Sequence, residues 1–282
     1  MQLMKLKSFP IFFSIPLAVL TGAIACIIAA DVAYVHSSDI VSTLLSKDIV
    51  TSMVLTLETS ILTTIISVII AVPSAYALSR FKFPGAIVLD TLIDLLIVVP
   101  VLVVGVSILV FFRMGFLLES SHFLPAYLVG KAIQWLGDFF IYQRAGIVLA
   151  QFFCSVPFAV RVIKSTFDDM SPRTEHVAQT LGCNKWQAFF RVSLPLARQG
   201  IFAGAVLAWA RAFGLFGPIS IVAGAVRQKT EVLSTSIFLE ISIGQLESGI
   251  ALSLLMVTIA SVILLLLRIG SGKTLFGGNV QP

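Results

Sequence analysis

Near its end the 282-residue chain reads "RIGSGKTLFGG", Arg268 to Gly278, which carries the Gly-Lys-Thr of a phosphate-binding loop. A working loop needs G-x-x-x-x-G-K-[ST] between a strand and a helix, so that backbone N–H groups converge on phosphate. Five residues before Gly272 stands Leu267, not glycine, and the stretch that leads in, Ser248 to Leu267, is twenty uncharged residues. With eight residues after Thr274, the expectation is a flexible basic tail (271–282), not a nucleotide site. His36, His122 and His176 are scattered without companion ligands, and Cys26, Cys154 and Cys183 show no C-x-x-C spacing. This argues against a zinc site and against a disulfide framework. No Ser/His/Asp grouping stands out. Buried acids such as Asp90 and Asp94 leave an intramembrane enzyme as an alternative, but the expectation is a non-enzyme with no metal and no cofactor on this chain.

Composition points elsewhere. Hydrophobic residues make up 58% of the chain and charged residues 12%, and mean hydropathy is +1.03. Soluble domains hold about 45–50% apolar and about 25% charged residues. The chain is therefore read as an all-α integral membrane protein, and its net charge of +5 as an excess of basic residues on cytoplasmic loops.

A bilayer crossing needs about 20 apolar residues, and six such runs are expected: Ile11 to Ala30, Thr59 to Ser79, Leu95 to Phe112 entered from about Ala86, one beginning near Ala145, Gln199 to Gly224, and Ser248 to Leu267. The first run reads as an anchored helix and not a cleaved leader. With the N-terminus inside, the inner segments hold twelve Lys and Arg and the outer segments six, which favours both termini in the cytoplasm. Residues 1–50 thus form a first span and outer linker, and residues 51–270 a transmembrane core. The outer stretch 114–143 is partly apolar but interrupted by Lys131 and Asp138. It is expected as an interfacial helix with Trp135 and Tyr142 at headgroup level.

The inner loop 167–199 is polar yet rich in aromatics. Ser171 and Pro172 open a helix, and Gly182 closes it in the left-handed region. A second helix then carries Trp186, Phe189 and Phe190, and Pro195 marks the turn back to the membrane. A soluble partner could grip such a hairpin, although an apolar stripe at helical spacing can equally pack on its own membrane domain.

Within this loop "HVAQTLGCNKWQAFFRVSLP" resembles the cytoplasmic motif of ATP-binding-cassette (ABC) importer permeases, E-A-A-x-x-x-G followed after nine residues by I-x-L-P. The matching positions are His176, Val177, Ala178, Gly182, Val192, Leu194 and Pro195, with Glu175 one residue before the family's glutamate. "RFKFPGAIVLDTLIDLLIVVPVLVVG" and "RAGIVLAQFFCSVPFAVRVIKSTFDDM" are similar to molybdate, tungstate and sulfate importer permeases. "WARAFGLFGPISIVAG" agrees with their A-R-A-x-G-E-F-G segment except that Leu215 replaces glutamate. The resemblance implies a type I importer fold, a permease dimer expected to be a homodimer, and an external binding protein. It also implies two ATPase subunits that carry ATP and Mg and contact Glu175, His176, Ala178, Leu181, Gly182, Trp186 and Phe189.

One basic residue lies inside a span. Arg211 is twelve residues into the fifth run, about 18 Å at 1.5 Å per residue, near mid-bilayer, and Asp94 on the third run lies at similar depth. Two readings stay open: an Arg211–Asp94 pair that fixes helix packing, or a pathway in which Arg211 attracts an oxyanion and Asp94 tempers it. An ABC permease for another small solute, or an ion-coupled transporter, are further alternatives. The latter calls for an internal repeat, and none is convincing.

Overall fold

In a computed structural model the described residues are 2–35, 46–119 and 124–270, and the described part is helical throughout, without strands. The helices are α1 (Gln2–Tyr34), α2 (Lys47–Arg80), α3 (Ala86–Val98), α4 (Val101–Glu119), α5 (Leu124–Phe140), α6 (Arg144–Asp169), α7 (Arg173–Thr180), α8 (Lys185–Leu196), α9 (Arg198–Phe213), α10 (Gly217–Val222), α11 (Leu233–Ser242) and α12 (Leu246–Gly270). The C-terminal stretch with the Gly-Lys-Thr run, His36 and His122 lie outside the described residues.

The centre of the fold is α2 against α6. Buried residues on α2 are small and often hydroxylic: Ser52, Thr56, Thr59, Ser60, Thr63, Ser67, Ala71 and Ala75. Small residues let backbones approach where lipid supplies no hydrophobic drive, and most of their hydroxyls bond on the helix itself or across it, Ser52 Oγ having no partner among the described residues. Thr56 and Thr59 return bonds to the carbonyls of Ser52 and Leu55, and Ser67 meets Ser155 of α6 at 3.3 Å. α9 closes on α6 in the same way, Gly204 lying where a Cβ would stand 2.9 Å from Ile163.

Two expected spans are broken. The third is not one helix: α3 and α4 meet at 115°, because Pro100 has no N–H to continue the ladder and drives Val99 to an extended conformation (φ −63°, ψ 133°). The fifth stops at Phe213, and α10 begins only at Gly217. A further apolar helix, α11, was not expected. By length and apolarity four described helices can cross a membrane, or six if each of two bent pairs counts as one span. The second bent pair is α8 with α9, at 68°. Its corner follows Leu196, not Pro195, which sits inside α8.

α5, which holds Trp135, packs back on α4, with Gly115 against Ile133 and Gly130, and leaves Trp135 exposed. The described side chains of α1 are almost wholly bare.

Candidate functional site

The loop after α6 is built by local rules. Gly182 takes φ +96°, the left-handed turn that only glycine adopts freely. Asn184 then starts α8 with a capping box, accepting from the Gln187 N–H while the Gln187 side chain accepts from its own N–H. Over Phe189–Ser193 the helix is wound as a π-helix.

A buried cluster fastens this loop to the membrane body. Glu175 is 6% exposed. It accepts from the Arg80 Nε at 3.0 Å and from the Tyr76 hydroxyl at 2.8 Å, and Arg80 also donates to the Met170 carbonyl. Burial alone would push the Glu175 carboxyl up, but the bonds from Tyr76 and Arg80 win and hold it below the usual range. Phe189 lies with its ring centre 4.6 Å from that of Tyr76, which also meets Phe167.

The seven residues expected to contact the ATPase therefore divide. Glu175, Ala178 and Phe189 face their own protein, Gly182 makes the turn, and His176, Leu181 and Trp186 face outward. Leu181 is 81% and Trp186 74% exposed, and Phe190 stacks beside Trp186. Tyr76 and Arg80, the residues that hold the loop in place, were not foreseen, because each is nearly a hundred residues from Glu175 in the chain.

The second site is a cavity of about 580 Å³ at the α3–α4 bend, lined by Leu96, Ile97, Val101, Leu102, Cys154, Phe158, Ala210, Arg211 and residues 214–217. Arg211 is its only charged lining residue among the described residues, with its guanidinium 4.2 Å from the Phe158 ring centre. The expected Arg211–Asp94 pair does not form. Asp94 bonds Arg161 of α6 at 2.6 Å, and Asp90 pairs with the same guanidinium at 2.9 Å. Asp90 and Asp94, four apart on α3, face α6 together, while Arg211 comes from α9 and has no ion pair among the described residues. Leu215, where the resemblance called for glutamate, is buried in the apolar cluster with Val104 and Ile108.

Bent and broken apolar helices thus surround a cavity, and a helical loop is pinned at one end. The chain belongs to the family described as binding-protein-dependent transport system inner membrane component, whose model matches residues 64–272. It is 31% identical over 238 residues to the sulfate transport system permease protein CysT of Escherichia coli (strain K12), covering 83% of this chain and 80% of that protein. It is 32% identical to the molybdenum transport system permease protein ModB of the same strain, over 76% of this chain and 90% of the relative. To the molybdate/tungstate transport system permease protein WtpB of Thermococcus kodakarensis it is 36% identical, over 59% and 58%. The fold matches a chain of a bacterial alginate ABC transporter crystallised with an alginate-bound periplasmic protein, with TM-score 0.70 at 18% identity, covering 98% of this chain and 96% of that one. The chain is thus an ABC importer permease of the membrane, a class that works with ATPase and substrate-binding protein partners.

Proposed function

We propose that the chain is one of two identical permease subunits that import a tetrahedral oxyanion, molybdate, tungstate or sulfate, with both termini in the cytoplasm. The observation that carries the substrate reading is Arg211: a cation with no carboxylate partner among the described residues, set in a cavity to which they contribute no other charge. A charge at that depth is costly by ~2.5–3.5 kcal/mol on insertion scales and is kept where it has work in a watery cavity. The relatives named for sulfate, molybdenum and tungstate support the same reading. Asp94, bound to Arg161, holds α3 on α6 and has no part in the pathway itself.

The loop 167–199 of each permease docks one of two ATPase subunits, which carry ATP and Mg and take up Trp186, Leu181, His176 and Phe190. An external binding protein delivers the anion at the opposite end. Glu175, Ala178, Gly182 and Phe189 serve that contact indirectly, by holding the exposed residues in place. The test is uptake of labelled molybdate, tungstate and sulfate by proteoliposomes holding the permease, its ATPase and its binding protein. Arg211→Gln is expected to lower uptake at least ~tenfold while the complex still assembles. Uptake unchanged for all three anions removes the oxyanion reading.

A further inference from the structure

Gln151 is 1% exposed and sits about two turns into α6, against the hydroxylic face of α2. Its amide joins two other helices. The Nε2 donates to the Ala212 carbonyl of α9 at 3.0 Å, and the Oε1 accepts from the Thr63 hydroxyl of α2 at 2.9 Å. The Ala212 carbonyl belongs to the last turn of α9, where the helix no longer supplies a full set of donors. From the backbone it receives a long contact from the Leu215 N–H, 3.3 Å, beside the cap N–H of Gly214. Gln151 supplies the shorter bond.

The bond matters because Arg211 immediately precedes Ala212 in the chain. Gln151, Cys154 and Phe158 follow one another at three- and four-residue steps, so they lie on one face of α6. Cys154 and Phe158 line the cavity, and the Arg211 guanidinium lies over Phe158. A rotation of α9 that carried Arg211 out of the cavity would pull the Ala212 carbonyl off Gln151. We propose that Gln151 is a positioning residue: by gripping the end of α9 it keeps the Arg211 guanidinium inside the cavity and so makes the cavity selective for anions. This rests on the reading of Arg211 given above.

Cys154 supplies a reporter. In the full permease with Cys26→Ser and Cys183→Ser, assembled with its ATPase in proteoliposomes, its modification is timed with anionic, cationic and uncharged methanethiosulfonates, each rate normalised to a free thiol. One fixed positive charge nearby should favour the anionic reagent by ~tenfold or more over the cationic one. Arg211→Gln should bring that ratio close to one. Gln151→Leu should do nearly the same and leave the rate with the uncharged reagent unchanged, which a general loosening of the fold would raise. If Arg211→Gln leaves the ratio alone, the anion-selecting role of Arg211 fails. If Arg211→Gln lowers the ratio and Gln151→Leu does not, the positioning role is overturned. Should Gln151→Leu not assemble, Gln151→Met decides: close in size to glutamine, it loses the donor to the Ala212 carbonyl, so a fall in the ratio supports the proposal and an unchanged ratio overturns it.

Discussion

Arg161 and Arg211 stand on neighbouring helices, and their surroundings are opposites. Arg161 is held by Asp90 and Asp94, whereas Arg211 has an aromatic ring beneath it and open cavity in front. Arg80, at the loop, extends the paired class into full burial, with side-chain exposures of 9% for Arg80 and 8% for Glu175. A cation spent on carboxylates holds helices together. A cation left without them remains available to a visiting anion.

Breaking the most buried pair should do most damage. Glu175→Ala leaves Arg80 buried without its partner and is expected to destabilise the detergent-solubilised protein by about 3–5 kcal/mol. Denaturant unfolding should show this, and the loop should become protease-sensitive. A change below about 1 kcal/mol would mean that the pair does not anchor the loop. Arg161→Leu comes next. Its carboxylates are partly exposed, with Asp94 at 53%, so the expected loss is nearer ~2 kcal/mol. Adding Asp90→Asn and Asp94→Asn should recover much of it, and no recovery would show that Arg161 acts by packing alone.

The paired and unpaired classes also separate by pH, a smaller effect. Glu175 is held below its usual range, so its contribution is present above about 4.5 and lost as the medium is acidified through its lowered value. Glu231, in the loop before α11, behaves in the opposite sense. It is 3% exposed, and its Oε2 has no hydrogen-bond partner among the described residues. Burial, helped by the nearby Asp48 and Glu240, raises its carboxyl against the opposing pull of Ser236 and Arg227. The folded state therefore favours the proton, and this contribution is full below the ordinary carboxylate range and lost as pH rises through the raised value. Thermal melts should show stability falling on that alkaline side, and Glu231→Gln should flatten the slope. An identical slope in the mutant would place the titration elsewhere. The smallest stability change belongs to Arg211→Gln, under about 0.5 kcal/mol, since no ion pair is lost. A large loss of stability there would erase the contrast between the two arginines.

Sequence by itself settled the membrane class, the importer resemblance and the position of the loop, because apolar run length, Gly182 at the turn and the spacing to Leu194-Pro195 are properties of neighbours in the chain. It also located Arg211, which stands out in an apolar run without any partner being known. Partner choice was beyond it. Asp94 could be matched to Arg211 by depth alone, but depth carries no information about which face a helix turns or where Pro100 bends it. The 115° corner and the packing of α3 on α6 gave both aspartates to Arg161. Phe189 and Trp186 sit three apart on one short helix, yet one packs on Tyr76 and the other meets solvent. Gln151 gains its partners only where α2, α6 and α9 are assembled around it. Such facts depend on contacts made across sixty to a hundred residues of chain, and only the tertiary structure decides them.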